Sequence, residues 1–240
     1  KAGVHYAYAN FDDERLEELE TQDLDNVLQT LYKIYGKFDY LFLDGIQNID
    51  GWPLFVNRLL RQRIHIIITG SNAKLLSTEL ATHLTGRHHK IELFPFSFKD
   101  WCSIKEVDYT RLTTKNKGLL SKAYDEYFRQ GGFPELISGE ENPKEYISTL
   151  IDNIISQDIK KRYKIRNIDA LKRLAHHILN ETPTLIVKET LQNIIGIKSE
   201  RTLGNYLMYL NQTYLISTIS KYSSRSRERA RNEKSYAIDV

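Results

Sequence analysis

The chain of 240 residues is long enough for one large domain or for two or three small domains with real cores. Its composition, 41% hydrophobic and 27% charged, is typical of a globular protein rather than a disordered one. No apolar run reaches the roughly 18 residues of a membrane span, and no signal peptide is visible, so we expect no membrane partner. A single cysteine, Cys102, excludes an internal disulfide and favours a cytoplasmic location.

The charge is distributed unevenly along the chain. The net charge is only +3, but from Lys160 onward 16 Lys and Arg stand against 7 Asp and Glu, which gives this third +9 and leaves −6 for the remainder. Such asymmetry favours an anionic partner for the C-terminal third, most simply double-stranded DNA. A merely solvated basic face is the alternative.

The first hundred residues alternate between strand and helix patterns. Because the strands are nearly continuous apolar runs, this alternation predicts a parallel α/β sheet with right-handed crossovers, whose function lies at the carboxyl ends of the strands. The predicted strands cover residues 4–11, 40–44, 65–71 and 90–96, and the predicted helices lie in 12–37, 51–62 and 73–86.

After Pro95 the pattern becomes helical. Helices are predicted within 119–130 and 142–165, separated by the turn GGFPE. From Asn167 three further helices, the last with Ser199 as its N-cap and a buried stripe of Leu203, Tyr206, Leu207 and Leu210, precede two strands that flank a polar loop. This order is typical of a winged helix-turn-helix.

The strongest candidate for chemistry is Asp44, which ends the apolar strand YLFLD. A carboxylate at that edge of the sheet can hold Mg²⁺ through water, although strands that end in Asp are also common without any function. Ser71 and Asn72 end the next predicted strand and could orient a water or sense a phosphate; capping a helix is the alternative for Ser71. Arg87 could reach the nucleotide of a neighbouring subunit, or it is a surface arginine.

Taken together, FLDGIQNIDGW, ITGSNAKLLSTELATHLTGR and IELFPFSFKDW resemble the central block of a prokaryotic AAA+-type P-loop ATPase family. The resemblance implies a partial ATPase core (1–96), a helical lid (97–166) and a winged helix (167–240), often followed by a nuclease-like domain. It also implies ATP and Mg²⁺ as cofactors and a possible homo-oligomer. On this resemblance Asp44 matches the Walker B aspartate, Ser71 and Asn72 the sensor-1 region, and Arg87 an arginine-finger candidate.

The sequence departs from that family in two ways. No G-x-x-x-x-G-K-[ST] loop occurs in the 240 residues, so we expect that loop upstream of Val4, and the chain alone to bind nucleotide weakly and to be inactive. Gly45 stands where the family pattern has a glutamate that activates water, an effect worth about 10²–10⁴-fold in rate. Hydrolysis is therefore expected to be impaired unless Asp12, Asp13 or Glu14 substitutes, and Gly45→Glu is expected to raise turnover.

The basic third carries candidates for DNA contact. Lys198, Arg201 and Asn205 lie near the start of the predicted recognition helix, and the predicted wing carries Arg225, Arg227, Arg229 and Arg231, placed for sequence-blind phosphate contacts. Winged helices also bind proteins. The functional hypotheses are therefore an ATP-dependent, DNA-associated or regulatory protein; a non-hydrolysing interaction module on the same scaffold; and an accessory to a nuclease-like domain. The histidine spacings do not resemble a zinc site.

Overall fold

The computed structural model of the chain describes residues 5–16, 18–70, 88–111, 113–139, 141–160, 163–222 and 233–239. The chain divides into two compact units, residues 1–92 and 93–240, and each unit has hydrophobic clusters of its own. Within the described ranges, no helix is both long enough and apolar enough to cross a bilayer. The helix predicted for residues 73–86 lies outside these ranges.

The first unit contains a three-stranded parallel sheet in the order β1-β2-β3, which confirms the predicted α/β architecture for these strands. The first two strands are each followed by a crossover to the next one, as parallel pairing requires. The elements are β1 (Tyr6–Asn10), α1 (Leu24–Tyr35), β2 (Tyr40–Asp44), α2 (Trp52–Arg61) and β3 (His65–Thr69).

The core of this unit lies on one face of the sheet. Ala7, Leu41 and Leu43 are fully buried there and pack in one cluster with the apolar faces of α1 and α2. Strand alternation turns the intervening residues to the other face, where Tyr6 and Tyr8 are exposed to 60% and 45%. In β2, Phe42 and Asp44 alternate with the buried Leu41 and Leu43. The Asp44 side chain therefore lies on this second face and not in the core.

Two local predictions were wrong. The first helix begins at Leu24 instead of directly after β1, because Glu20 and Asp23 cap each other and close a short 3₁₀ turn ahead of the helix. Residues 90–96 do not form a strand, since a strand needs a partner and none of the described residues pairs with them as one. Instead, the Phe96 N–H donates to the carbonyl oxygen of Gly132 at 2.7 Å.

The second unit begins with a small helical cluster. Trp101, Cys102, Ala123 and Ile137 are buried together, and this burial raises the pKa of the Cys102 thiol. Cys102 is thus an ordinary buried side chain. The elements are α3 (Phe98–Ile104), α4 (Thr114–Gln130), α5 (Pro134–Ile137) and α6 (Pro143–Asn153), which continues as a π-helical segment (Ile154–Ile159).

The remainder of this unit combines three helices with an antiparallel sheet in the order β4-β6-β5. Ser199 caps α9 as predicted, accepting a hydrogen bond from the Thr202 N–H at 3.2 Å, and Leu203, Tyr206 and Leu210 of the predicted stripe are buried. The elements are α7 (Ile168–Asn180), β4 (Thr184–Leu185), α8 (Lys188–Ile195), α9 (Glu200–Gln212), β5 (Ile216–Ser220) and β6 (Glu233–Ala237).

Candidate functional site

The carboxyl ends of the three parallel strands meet at one edge of the sheet. Asn10, Asp44 and Thr69 are aligned there as neighbours in register. Backbone hydrogen bonds continue past the strand ends: the Phe11 N–H donates to the Asp44 carbonyl oxygen at 2.8 Å, and the Gly45 N–H donates to that of Thr69 at 3.0 Å. The residues after β1 and β2 are therefore fixed to the same edge as Asp44.

The Asp44 carboxylate is held by two hydroxyl groups. The Thr69 hydroxyl donates to Oδ1 at 2.5 Å and the Tyr8 hydroxyl to Oδ2 at 3.2 Å. Partial desolvation raises the pKa of Tyr8, and the nearby charges of Asp44 and Asp12 raise it further, so the phenol remains a proton donor at neutral pH. Tyr8 and Thr69 were missed in the sequence, although alternation in register places both on the face of Asp44.

Gly45 has a left-handed backbone, with φ of 67°, a conformation that favours glycine. A Cβ atom at this position would lie 2.6 Å from Cγ of Asp12 and 2.7 and 2.8 Å from its two carboxylate oxygens. The carboxylate of Asp12 thus occupies the space into which a side chain of residue 45 would project.

Asp12 is anchored at both its backbone and its side chain. Its N–H donates to Oδ1 of Asn10 at 2.8 Å, and Oδ1 of Asp12 accepts from the Asn48 amide at 2.7 Å. The Asn48 amide also donates to the Phe11 carbonyl oxygen at 3.3 Å, which joins the loop after β1 to the turn after Asp44. Asn48, like Tyr8 and Thr69, is a residue that the sequence patterns did not single out.

The other two acidic residues of the loop are placed differently. Asp13 is paired with Arg15, whose Nε and terminal nitrogen lie 2.8 and 2.5 Å from its carboxylate oxygens, and the hydrogen bond from the Arg15 side chain lowers the pKa of Asp13 to about 2. Glu14 begins a short 3₁₀ turn and is exposed. Of the three predicted substitutes for the missing glutamate, Asp12 is the one in contact with the position of residue 45.

The end of β3 is closely packed against the turn after β2. A Cβ atom on Gly70 would lie 2.7 Å from Oε1 of Gln47, and that buried oxygen receives no hydrogen bond from any described residue. Ser71 and Asn72 come next in sequence but lie outside the described residues, as does Arg87. Their predicted roles as sensor and arginine finger therefore stay predictions.

The residues at this edge fit one kind of magnesium site. Among the described residues there is no group of three or more His, Cys, Asp or Glu side chains that could enclose a metal ion. Mg²⁺ that accompanies a nucleotide needs fewer protein ligands, since it takes most of its ligands from phosphates and waters and only one or two from carboxylates. The two hydroxyl donors leave acceptor capacity on the Asp44 oxygens, enough for a metal-bound water.

Lys198, Arg201 and Asn205, the residues predicted to contact DNA from a recognition helix, lie at or near the amino end of α9. Lys198 and Arg201 are exposed, and Asn205, one turn later, is half-buried. Lys188 of α8 is paired with Glu200, whereas no described residue forms an ion pair with Lys198 or Arg201. The four wing residues Arg225, Arg227, Arg229 and Arg231 lie outside the described residues, so their predicted phosphate contacts stay predictions.

Comparison with known proteins divides the chain near the boundary between its two structural units. Residues 2–102 match the model of an AAA domain, and residues 121–240 match a domain of unknown function, DUF8612. An uncharacterized protein of Methanocaldococcus jannaschii is 35% identical over 241 residues, covering 98% of this chain and 54% of that protein. An uncharacterized protein of Haemophilus influenzae is 30% identical over 244 residues, covering 99% of this chain and 60% of that protein.

The chain thus spans little more than half the length of these curated relatives. The AAA match includes the whole parallel sheet with Asp44, Gly45 and Asp12, which agrees with an AAA-like P-loop core. Because the second model matches half of its residues, the chain belongs to the DUF8612 family, and the match to an AAA domain lies ahead of the family-defining region.

Proposed function

We propose that the first unit forms the Walker B side of an ATP site in an AAA-type ATPase. The observation that carries this proposal is the placement of Asp44: it ends the central strand of a parallel sheet, beside Thr69, in a segment that matches an AAA domain. Open α/β sheets bind their ligands at this edge. A phosphate-binding loop is absent from the 240 residues, so the proposal concerns the protein in its full-length form.

Each residue at the edge has a proposed task. Asp44 would hold Mg²⁺ through a water, while Thr69 and Tyr8 fix the orientation of its carboxylate. The ion, when bound, neutralises charge on the phosphates. From the family resemblance, Ser71 and Asn72 act as sensors of the terminal phosphate. Arg87 acts on the nucleotide of a neighbouring copy.

For the last third of the chain we propose a winged helix that binds double-stranded DNA in the cytoplasm. Support comes from the excess of nine positive charges after residue 159 and from the exposed cations at the amino end of α9. Lysine and arginine at such positions bind phosphates and base edges. ATP binding in the first unit would then regulate or accompany contact with DNA.

A second candidate function is a non-hydrolysing interaction module on the same scaffold. Gly45 favours it, because glycine supplies no group to activate water. Leu185 of β4 and Ile219 of β5 also favour it, since both flank Lys234 in register and are exposed to 48% and 58%. Exposed apolar side chains of this kind serve protein contacts.

ATP turnover by the protein, expressed over its full open reading frame, separates these two functions. We expect Asp44→Asn to lower Mg²⁺-dependent turnover by about 10²-fold or more, the usual effect of losing one preorganised electrostatic contact. Asp39→Asn is the matched control, because Asp39 is exposed just before the opposite end of the same strand. Turnover should be measured with and without double-stranded DNA.

Three outcomes decide the matter. Loss of turnover in Asp44→Asn but not in Asp39→Asn supports the ATPase. Binding of MgATP without any turnover supports the interaction module. A protein in which neither ATP binding nor turnover is detected contradicts the proposed ATP site.

A further inference from the structure

The Asp12 carboxylate occupies the space into which a side chain of residue 45 would project, and this position suggests how the site activates water. We propose that Asp12 is the general base of the reaction, in place of the glutamate that Gly45 replaces. This inference rests on the proposed ATPase function and assigns one more residue to it. It also explains why residue 45 is a glycine, since a Cβ atom at that position would lie 2.6 Å from the closest atom of Asp12.

The contacts of Asp12 suit a base. Asn48 donates to Oδ1 at 2.7 Å, which fixes the carboxylate, while Oδ2 receives no hydrogen bond from any described residue. That second oxygen is available to accept a hydrogen bond from a water. Asp12 follows Asn10 by two residues, and Asn10 is the register partner of Asp44 in the sheet. The base and the proposed magnesium ligand thus share one edge of the sheet.

The neighbouring acidic residues do not meet the same conditions. Both carboxylate oxygens of Asp13 are engaged by Arg15, which makes this group a poor proton acceptor with a pKa of about 2. Glu14 is exposed, and no hydrogen bond joins it to Asn48 among the described residues. Asp44 accepts one hydroxyl hydrogen bond on each oxygen, and its remaining acceptor capacity is assigned to the metal-bound water. Asp12 is therefore the acidic residue of this edge that has a fixed position, an oxygen without a hydrogen bond from any described residue, and no task already assigned to it.

The step assigned to Asp12 is a proton transfer within an ordinary hydrolysis. A water oxygen forms a bond to the terminal phosphorus of ATP, and the bond between that phosphorus and the bridging oxygen breaks. The bridging oxygen keeps the electron pair and leaves as part of ADP. The Asp12 carboxylate accepts the proton of the attacking water and later releases it to solvent, so the products are ADP, inorganic phosphate and one proton.

The first experiment compares Asp12→Asn with Asp13→Asn in the full-length protein. We expect Asp12→Asn to lower kcat by about 10²–10⁴-fold, the range of a lost general base, with the Kd for MgATP unchanged within about threefold. Asp13→Asn, which removes one charge from the adjacent residue, should keep kcat within about threefold of the parent protein. Full activity of Asp12→Asn, or ATP binding without turnover in the parent protein, overturns the inference.

The second experiment moves the carboxylate from one residue to the other. Contrary to the expectation from the sequence, Gly45→Glu by itself should not raise turnover, because its side chain meets the carboxylate of Asp12. The double variant with Asp12→Ala and Gly45→Glu should turn over ATP at least about tenfold faster than Asp12→Ala alone, as one carboxylate is returned to the same space. A strong gain from Gly45→Glu in the presence of Asp12 contradicts the inference.

A third measurement needs no nucleotide. Gly45→Ala should lower the thermal unfolding midpoint by about 3 °C more in the parent protein than in the Asp12→Ala background, because only the parent has the close approach. Equal losses in the two backgrounds would show that Asp12 and residue 45 do not compete for space. Failure of MgATP binding, in contrast, would contradict the proposed function and leave this structural result standing.

Discussion

At the scale of single residues, the orientation of Asp44 depends on two hydroxyl groups rather than on backbone geometry alone. We expect Thr69→Val to weaken MgATP binding by roughly 2- to 12-fold, the equivalent of one lost hydrogen bond of about 0.5–1.5 kcal/mol. Thr69→Ser keeps the donor and is the matched control. The Kd for MgATP measured by calorimetry checks the prediction. Equal Kd values for Val and Ser at this position would show that the Thr69 hydroxyl does not position the carboxylate.

Two glycines of the second unit should respond to alanine in opposite directions. Gly196 ends α8 with φ of 71°, so Gly196→Ala forces a left-handed conformation on an L-residue and should lower the free energy of unfolding by about 1 kcal/mol. Gly118 lies inside α4 with open space around its missing Cβ, and Gly118→Ala should raise that free energy by about 0.5–1 kcal/mol. Urea unfolding of both variants measures the difference; equal signs would contradict it.

The sequence was informative about Asp44 but not about its surroundings. The segment YLFLD predicts an apolar strand that ends in Asp, because a buried strand has a local pattern of apolar residues. The close approach of Asp12 to Gly45 has no such local pattern in the sequence. It depends on a left-handed backbone at Gly45 and on the register of β1 with β2, which brings together residues 33 positions apart. Pairwise contacts of this kind come from the tertiary structure.

At the scale of elements, helix α9 is the proposed DNA-reading helix. Replacing both Lys198 and Arg201 by alanine should weaken binding to duplex DNA by about tenfold or more and reduce the salt slope by about 1–2, since each phosphate contact contributes about one unit. The control is the pair Lys115→Ala and Lys117→Ala, which removes two exposed cations from α4. Fluorescence anisotropy at several salt concentrations gives both quantities. An identical loss in the control pair would indicate non-specific attraction only.

Helices and strands were predicted correctly where the sequence of the segment itself specifies them, and wrongly where they depend on a distant partner. Helix α9 is specified by its own Ser199 cap and apolar stripe, both of which the structure contains. The segment 90–96 has a strand-like composition, yet Ile91 and Leu93 are exposed to 83% and 90%. Strand formation depends on a partner that the segment itself cannot supply, and a sequence window carries no information about that partner.

At the scale of the whole molecule, the chain carries separate hydrophobic cores for its two units. The core of the first unit is built from residues of β1, α1, β2 and α2, and no residue of it belongs to the clusters of the second unit. The two tryptophans are divided in the same way: Trp52 is buried in the first unit and Trp101 in the second, each with 1% exposure. Each unit therefore has its own fluorescent reporter.

This division predicts that damage to one core stays within its unit. Leu43 is 1% exposed in the first core, so Leu43→Ala should lower the stability of that unit by about 2–5 kcal/mol. Measured in a Trp101→Phe background, the Trp52 transition should move to lower urea concentration. In a Trp52→Phe background, the Trp101 transition should stay where it is, because the described residues of the Trp101 cluster all belong to the second unit. A common shift of both transitions would mean that the two units unfold as one cooperative body.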